Sequence, residues 1–218
     1  MVKTLYLIRH GETVGGDEKR YKGSIDVPLS ENGIEQIKKT AKLLAKLLDS
    51  IPLSAIYTSP LSRALKSAEI IAEGHGLKPI VIPELRERSF GIWEGMTFLE
   101  IKEKYPVEFE NWANNPLKYS PPQGESTIQV KDRVIKALYE ILNKSHHASS
   151  ITHHSLLSEL QTNIVIVAHG GVNRVILCHI MGIPLENIFR IEQDNSAINI
   201  IEFWDKYPVV KLLNGRWE

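Results

Sequence analysis

Arg9, His10, Arg63, Glu87 and His169 lie far apart in the chain, yet their side chains together suit one kind of chemistry. Arginine forks match phosphate oxygens two at a time and keep their charge. A neutral imidazole is a competent nucleophile and can carry a covalent intermediate. A carboxylic acid beside it can protonate a leaving oxygen, provided its surroundings keep it protonated. Each histidine is followed by glycine, His10 by Gly11 and His169 by Gly170 and Gly171, so the backbone can come close to an anion and offer N–H donors. The inventory is that of phosphoryl transfer.

Such a set works only if the fold gathers it. The run from Val2 to Ile8 is apolar, rich in β-branched residues and of strand length. Ser30 stands as an N-cap before a helical pattern that continues to Leu48. A second strand, "LSAIYTS", leads through Thr58 and Ser59 to Pro60 and a helix carrying Arg63, closed by Gly74 or Gly76. "KPIVIPEL" reads as a third strand with Glu87 just beyond it. A helix is expected around Thr97–Lys104, then irregular aromatic and proline-rich chain, then a helix over Ser126–Leu142. A fourth strand ends on His169, and a helix closed by Gly182 follows. "AINIIEFW" and "YPVVKLL" read as a hairpin turning at Asp205–Lys206. Strands alternating with helices imply a three-layer α/β/α sandwich whose central sheet is mostly parallel, with an antiparallel edge strand. Ligands gather at the carboxyl ends of such strands, where Arg9, His10, Arg63 and His169 all fall.

The chain has 218 residues, enough for one substantial core, and we expect a single domain over 1–218 with 90–123 as a cap-like insertion. Lys plus Arg and Asp plus Glu are both 26, so the formal net charge is zero. That argues against nucleic acid as a partner, though a local positive pocket is compatible with it. No apolar run approaches the ~20 residues of a membrane helix. The lone cysteine, Cys178, and the absence of a signal-peptide pattern lead to the expectation of a cytoplasmic setting. The paired histidines at 146–147 and 153–154 lack carboxylate or cysteine partners at ligand spacing and read as a polar loop, so no metal site is expected. Oligomeric state is left open.

"LIRHGET" resembles the signature of the histidine phosphatase superfamily, the phosphoglycerate mutase-like enzymes. The resemblance extends through "YKGSIDVPLSENG", "IYTSPLSRALKSAEI", "LRERSFGIWEG", "PQGES" and "VAHGGVNRVI", in that order. It implies a phosphoglycerate mutase-like fold and a phosphomonoesterase that needs no metal or other cofactor. By motif, His10 matches the nucleophile that becomes phosphohistidine, and Arg9 and Arg63 match the phosphate-binding arginines. His169 matches the second histidine contacting the transferring group, and Glu87 the general acid. Gly11, Thr13, Arg20, Tyr21, Lys22 and Gly170 complete the residues expected to bind substrate. For Thr13 a turn-stabilising role is equally compatible, and for Arg20, Tyr21 and Lys22 a plain surface role. Trp93, Trp112 and Tyr119 read as cap packing, with a pocket wall as the alternative.

The match loosens in two places. Many family members carry Asn six residues after the nucleophile, where this chain has Gly16, and Gln where it has Lys22. The resemblance favours the phosphatase branch, and within it the α-ribazole phosphatases of cobalamin assembly, acting on a small phosphorylated substrate. A broad-specificity sugar or nucleotide phosphatase, a phosphoglycerate mutase and a non-catalytic phospho-ligand binder are the competing readings.

Overall fold

The computed structural model of the chain describes residues 2–16, 20–49, 51–144, 161–205 and 207–216. The histidine pairs at 146–147 and 153–154, and Lys206, lie outside the described residues. Six strands form one sheet: β1 (Val2–Arg9), β2 (Leu53–Thr58), β3 (Ile80–Val81), β4 (Gln161–Ala168), β5 (Ile198–Trp204) and β6 (Tyr207–Gly215). Their order is β3-β2-β4-β1-β5-β6. The four strands from β3 to β1 are parallel, whereas β5 runs antiparallel to both β1 and β6.

Alternation along the central strands decides where the helices sit. Leu5 and Leu7 of β1, with Ile164 and Ile166 of β4, point to one face, into a core shared with α5 (Thr127–Lys144) and α6 (Gly170–Met181). Tyr6, Ile8, Val165 and Val167 point to the other, against α1 (Glu31–Leu48) and α2 (Ser62–Glu73). A sheet buried on both faces needs such near-continuous apolar strands. The helix ends follow the expected signals. The Ser30 hydroxyl accepts the Gly33 N–H at the start of α1, and Gly182 closes α6 at φ 66°. Ser126 and Gln129 cap the start of α5 reciprocally, each side chain accepting the other's backbone N–H.

Two elements differ from the sequence expectation. The third strand is only Ile80–Val81, because Pro79 and Pro83 flank the run without an N–H to donate, and Pro83 opens a 3-10 turn. The segment expected to be irregular after Lys104 contains a second helix. There α3 (Phe98–Lys104), opened by a Thr97–Glu100 capping box, is followed by α4 (Pro106–Asn114). Pro106 sits at the first helical position, where its missing N–H costs nothing, and Phe109 and Trp112 share the face that buries Trp93. This aromatic cluster is separate from the two cores flanking the sheet and reaches Tyr21 and Phe90 at the sheet's carboxyl end. No helix among the described residues is long and apolar enough to cross a membrane.

Candidate active site

Strand register brings the two histidines together. β1 and β4 are parallel neighbours with Arg9 opposite Ala168, so His10 and His169 leave the sheet side by side. Their rings meet edge to face, with centroids 5.1 Å apart. The His10 backbone is pinned on both sides: its N–H donates to the Ala168 carbonyl and its carbonyl accepts from Ser196.

The His10 side chain has a defined tautomer. Nδ1 lies 2.7 Å from the Gly11 carbonyl oxygen, which can only accept. Nδ1 therefore carries the proton, and Nε2 keeps its lone pair. Burial, reinforced by the charges of Arg9 and Arg63 and opposed by the Gly11 carbonyl, holds this imidazole well below the ordinary histidine range. His169 is fully buried behind it, its Nε2 2.7 Å from the Ser59 hydroxyl, and burial together with His10, Arg63 and Arg9 depresses it likewise.

These shifts set an expected pH dependence. An imidazole that stays unprotonated keeps its lone pair as pH falls through 6.5, so any acid limb that His10 contributes to kcat/KM should lie below that value. Stability runs in a matching direction. Above pH 6.5 both rings are neutral in the folded and the unfolded chain. Below it the unfolded chain takes up protons first, so stability is lost as pH falls toward the folded values. Melting temperatures recorded across this range should fall with acidity, and a flat profile would contradict the burial assigned to the pair.

Cations surround the imidazole. The Arg9 guanidinium donates from Nη1 to the Gln193 carbonyl at 2.6 Å, while its buried Nε has no partner. Arg63, in the first turn of α2 and almost fully buried, is anchored by the carbonyls of Gly23 and Ile25. Glu87 faces them from the chain beyond β3. Its two oxygens accept the Arg88 N–H at 2.9 Å and the Gly171 N–H at 3.1 Å. A Cβ at Gly171 would come 2.6 Å from Glu87 Oε1, so only glycine lets the Glu87 carboxyl group approach the start of α6 this closely. Arg133 of α5 clamps the segment bearing Glu87 through the carbonyls of Glu84, Arg86 and Glu87, and forks onto Glu125 of the "PQGES" motif.

Arg9, His10, Arg63 and Glu87 line one cavity of about 710 Å³, together with Thr13, Tyr21 and Lys22. Lys22 donates to the Thr13 hydroxyl at 2.5 Å and to the Val14 carbonyl, and so tethers the loop beside Gly16. Arg20 lines the same cavity, with its guanidinium donating to the Gly95 carbonyl and to Glu100 of α3. Gly170 borders a smaller adjoining cavity.

Gly11 requires a correction. It does not open toward substrate: its bare Cα face meets the backbone of Gly33, whose oxygen would lie 2.3 Å from a Cβ, and its N–H goes to Ser67. The glycine is needed for this close packing of two chain segments. Trp93 is fully buried in the aromatic cluster, so the cavity's aromatic wall is Tyr21, Phe90 and Phe98. Ser59, Arg133, Arg174 and the 192–195 segment were not singled out by sequence reasoning. Ser59 and Arg174 stood within reach of it, at a strand end and inside "HGGVNRVI"; the 192–195 loop carries no periodicity or motif.

The model of the histidine phosphatase superfamily (branch 1) matches residues 5–216. The chain belongs to this superfamily. Among its relatives, phosphoserine phosphatase 1 of Hydrogenobacter thermophilus is 35% identical, over 98% of this chain and 92% of the relative. The adenosylcobalamin/alpha-ribazole phosphatase of Escherichia coli K12 is 27% identical over 97% of this chain and 96% of its own length. Among solved structures, the alpha-ribazole phosphatase from Shigella flexneri superposes with a TM-score of 0.82 at 27% identity, covering 98% of this chain and 96% of that one. The family match thus spans all six strands, and the three relatives named are phosphatases.

Proposed function

We propose that this histidine phosphatase hydrolyses small phosphate monoesters through a phosphohistidine at His10, without a metal. The observation that carries this reading is the Gly11 carbonyl on His10 Nδ1, which leaves an unprotonated Nε2 among buried guanidinium groups. Nε2 attacks phosphorus as the ester P–O bond breaks. Arg9 and Arg63 hold the equatorial oxygens, and the Glu87 carboxyl delivers its proton to the departing alkoxide. Glu87, now a carboxylate, takes a proton from water as that water displaces His10, releasing phosphate and restoring the acid.

The leaving group has two supported readings. Resemblance in residues 9–33 and in "PQGES" supports α-ribazole 5′-phosphate, hence a role in cobalamin assembly. The greater identity to a phosphoserine phosphatase supports a small charged alcohol. The lining favours the second, because Lys22, Arg174, Glu192 and Asp194 edge the cavity while Trp93 is not available to stack on a base. The single thiol, Cys178, is buried and fits a reducing cytoplasm.

The test is transfer of label. Enzyme mixed with ³²P-labelled ester and quenched in alkaline denaturant, where phosphohistidine survives, should retain label at His10. An enzyme that releases phosphate but never carries label would overturn the covalent mechanism. A pure phospho-ligand binder would show neither turnover nor label.

A further inference from the structure

Beside Arg9, Arg63 and Arg20, Arg174 is a fourth arginine of the cavity, and the steps above give it no task. It lies in the second turn of α6, and its Nε donates to the Ile191 carbonyl at 2.6 Å, which fixes the plane of the guanidinium. A Cβ built on Gly170 would lie 3.3 Å from Arg174 Nη1 and 3.4 Å from Arg9 Nε, so the two guanidinium groups flank one bare backbone position. Among the described residues no carboxylate lies within ion-pair distance of Arg174, and burial lowers this guanidinium from the ordinary arginine range, opposed by Glu87, Glu192 and Asp194.

His10 and Arg63 border only the main cavity, whereas Arg174, like Arg9, continues into its neighbour. Arg174 borders both the main cavity, with His10 and Glu87, and the adjoining cavity of about 160 Å³, which Phe90, Val130 and Phe189 line. The ester oxygen must meet Glu87 as it departs, so the remainder of the alcohol lies past Glu87, where these two cavities join. Arg88 borders the smaller cavity as well. Its buried Nη2 has no partner, and burial, opposed by Glu87 and Glu125, brings this guanidinium down to about 10, still charged at neutral pH. A positive, partly desolvated wall facing the leaving group selects for a negative one.

We propose that Arg174 reads a negative charge on the alcohol of the substrate, so that the preferred esters are phosphates of hydroxy acids rather than of neutral alcohols. This rests on the hydrolytic reading of the same site. A charge-assisted hydrogen bond to a carboxylate corresponds to about 10- to 100-fold in kcat/KM.

Matched pairs of esters isolate that charge: phosphoglycolate against ethyl phosphate, and O-phosphoserine against phosphoethanolamine. The wild-type enzyme should favour the carboxylate member of each pair by about 10-fold or more. Arg174→Met should reduce that ratio to near unity, and Arg174→Lys should retain part of it. A wild-type enzyme without the preference overturns the proposal with no variant needed. So does an Arg174→Met enzyme that loses the same factor on every ester, since that would place Arg174 on the phosphate or in the scaffold. Label at His10 together with unselective turnover would sink this inference and leave the hydrolytic reading standing. Failure of every ester to label or turn over would sink both.

Discussion

Replacing His10 by Ala is expected to lower kcat/KM on every phosphate ester by about 10⁴-fold or more, and to remove the labelled intermediate entirely. The size of the loss follows from what else is present. Among the described residues His169 is the only other imidazole at the cavity end of the sheet, and it is fully buried behind His10 with Nε2 committed to Ser59. It cannot replace the missing nucleophile without leaving its strand end. Binding should outlast catalysis, because Arg9 and Arg63 are anchored by the carbonyls of Gln193, Gly23 and Ile25 and not by His10. The variant should therefore still bind inorganic phosphate while turning nothing over. The His10 backbone contacts to Ala168 and Ser196 do not depend on the ring, so the fold should survive, as circular dichroism would check. Substantial residual turnover in a purified, folded variant would mean that water attacks phosphorus directly.

The sequence made the strand ends legible because chemistry and topology coincide there. A parallel sheet must deliver its carboxyl ends to one edge, so topology alone brings Arg9–His10 and His169–Gly170 together. Glu87 was harder, since no strand delivers it directly. Its position depends on Arg133, 46 residues away in sequence, and on the bare Cα of Gly171, contacts that no local pattern encodes. The same limit hid α4. Pro106 and a run of aromatic residues read locally as irregular chain, whereas the helix exists because Phe109 and Trp112 bury against Trp93. Gly11 shows the opposite error. A glycine beside the nucleophile invites a ligand-approach argument, but its lack of a side chain serves Gly33 instead. Gly16 and Lys22, where the family pattern loosens, lie on the cavity wall, with the Lys22 ammonium spanning Thr13 and Val14.

Removing the carboxyl of Glu87 should divide the reaction in two. In the first half of the proposed mechanism, Glu87 supplies a proton to a departing alkoxide, a contribution worth about 10²- to 10⁴-fold for an alkyl ester. An activated aryl ester releases a phenolate that leaves without that help, so Glu87→Ala should hydrolyse alkyl phosphates far more slowly yet transfer the phosphoryl group from an aryl phosphate at a much less impaired rate. In the second half, the same carboxylate deprotonates water, and no leaving group can substitute for that. The aryl ester should therefore give a rapid burst of phenolate followed by slow turnover, with labelled phosphohistidine accumulating. Ala is the informative replacement. Gln would point an amide N–H₂ at either the Arg88 or the Gly171 N–H, both of which donate to the Glu87 carboxyl oxygens, and so would disturb the start of α6 as well as the proton transfer. Equal losses on alkyl and aryl esters, with no burst and no accumulated intermediate, would show that Glu87 shapes the site without moving a proton.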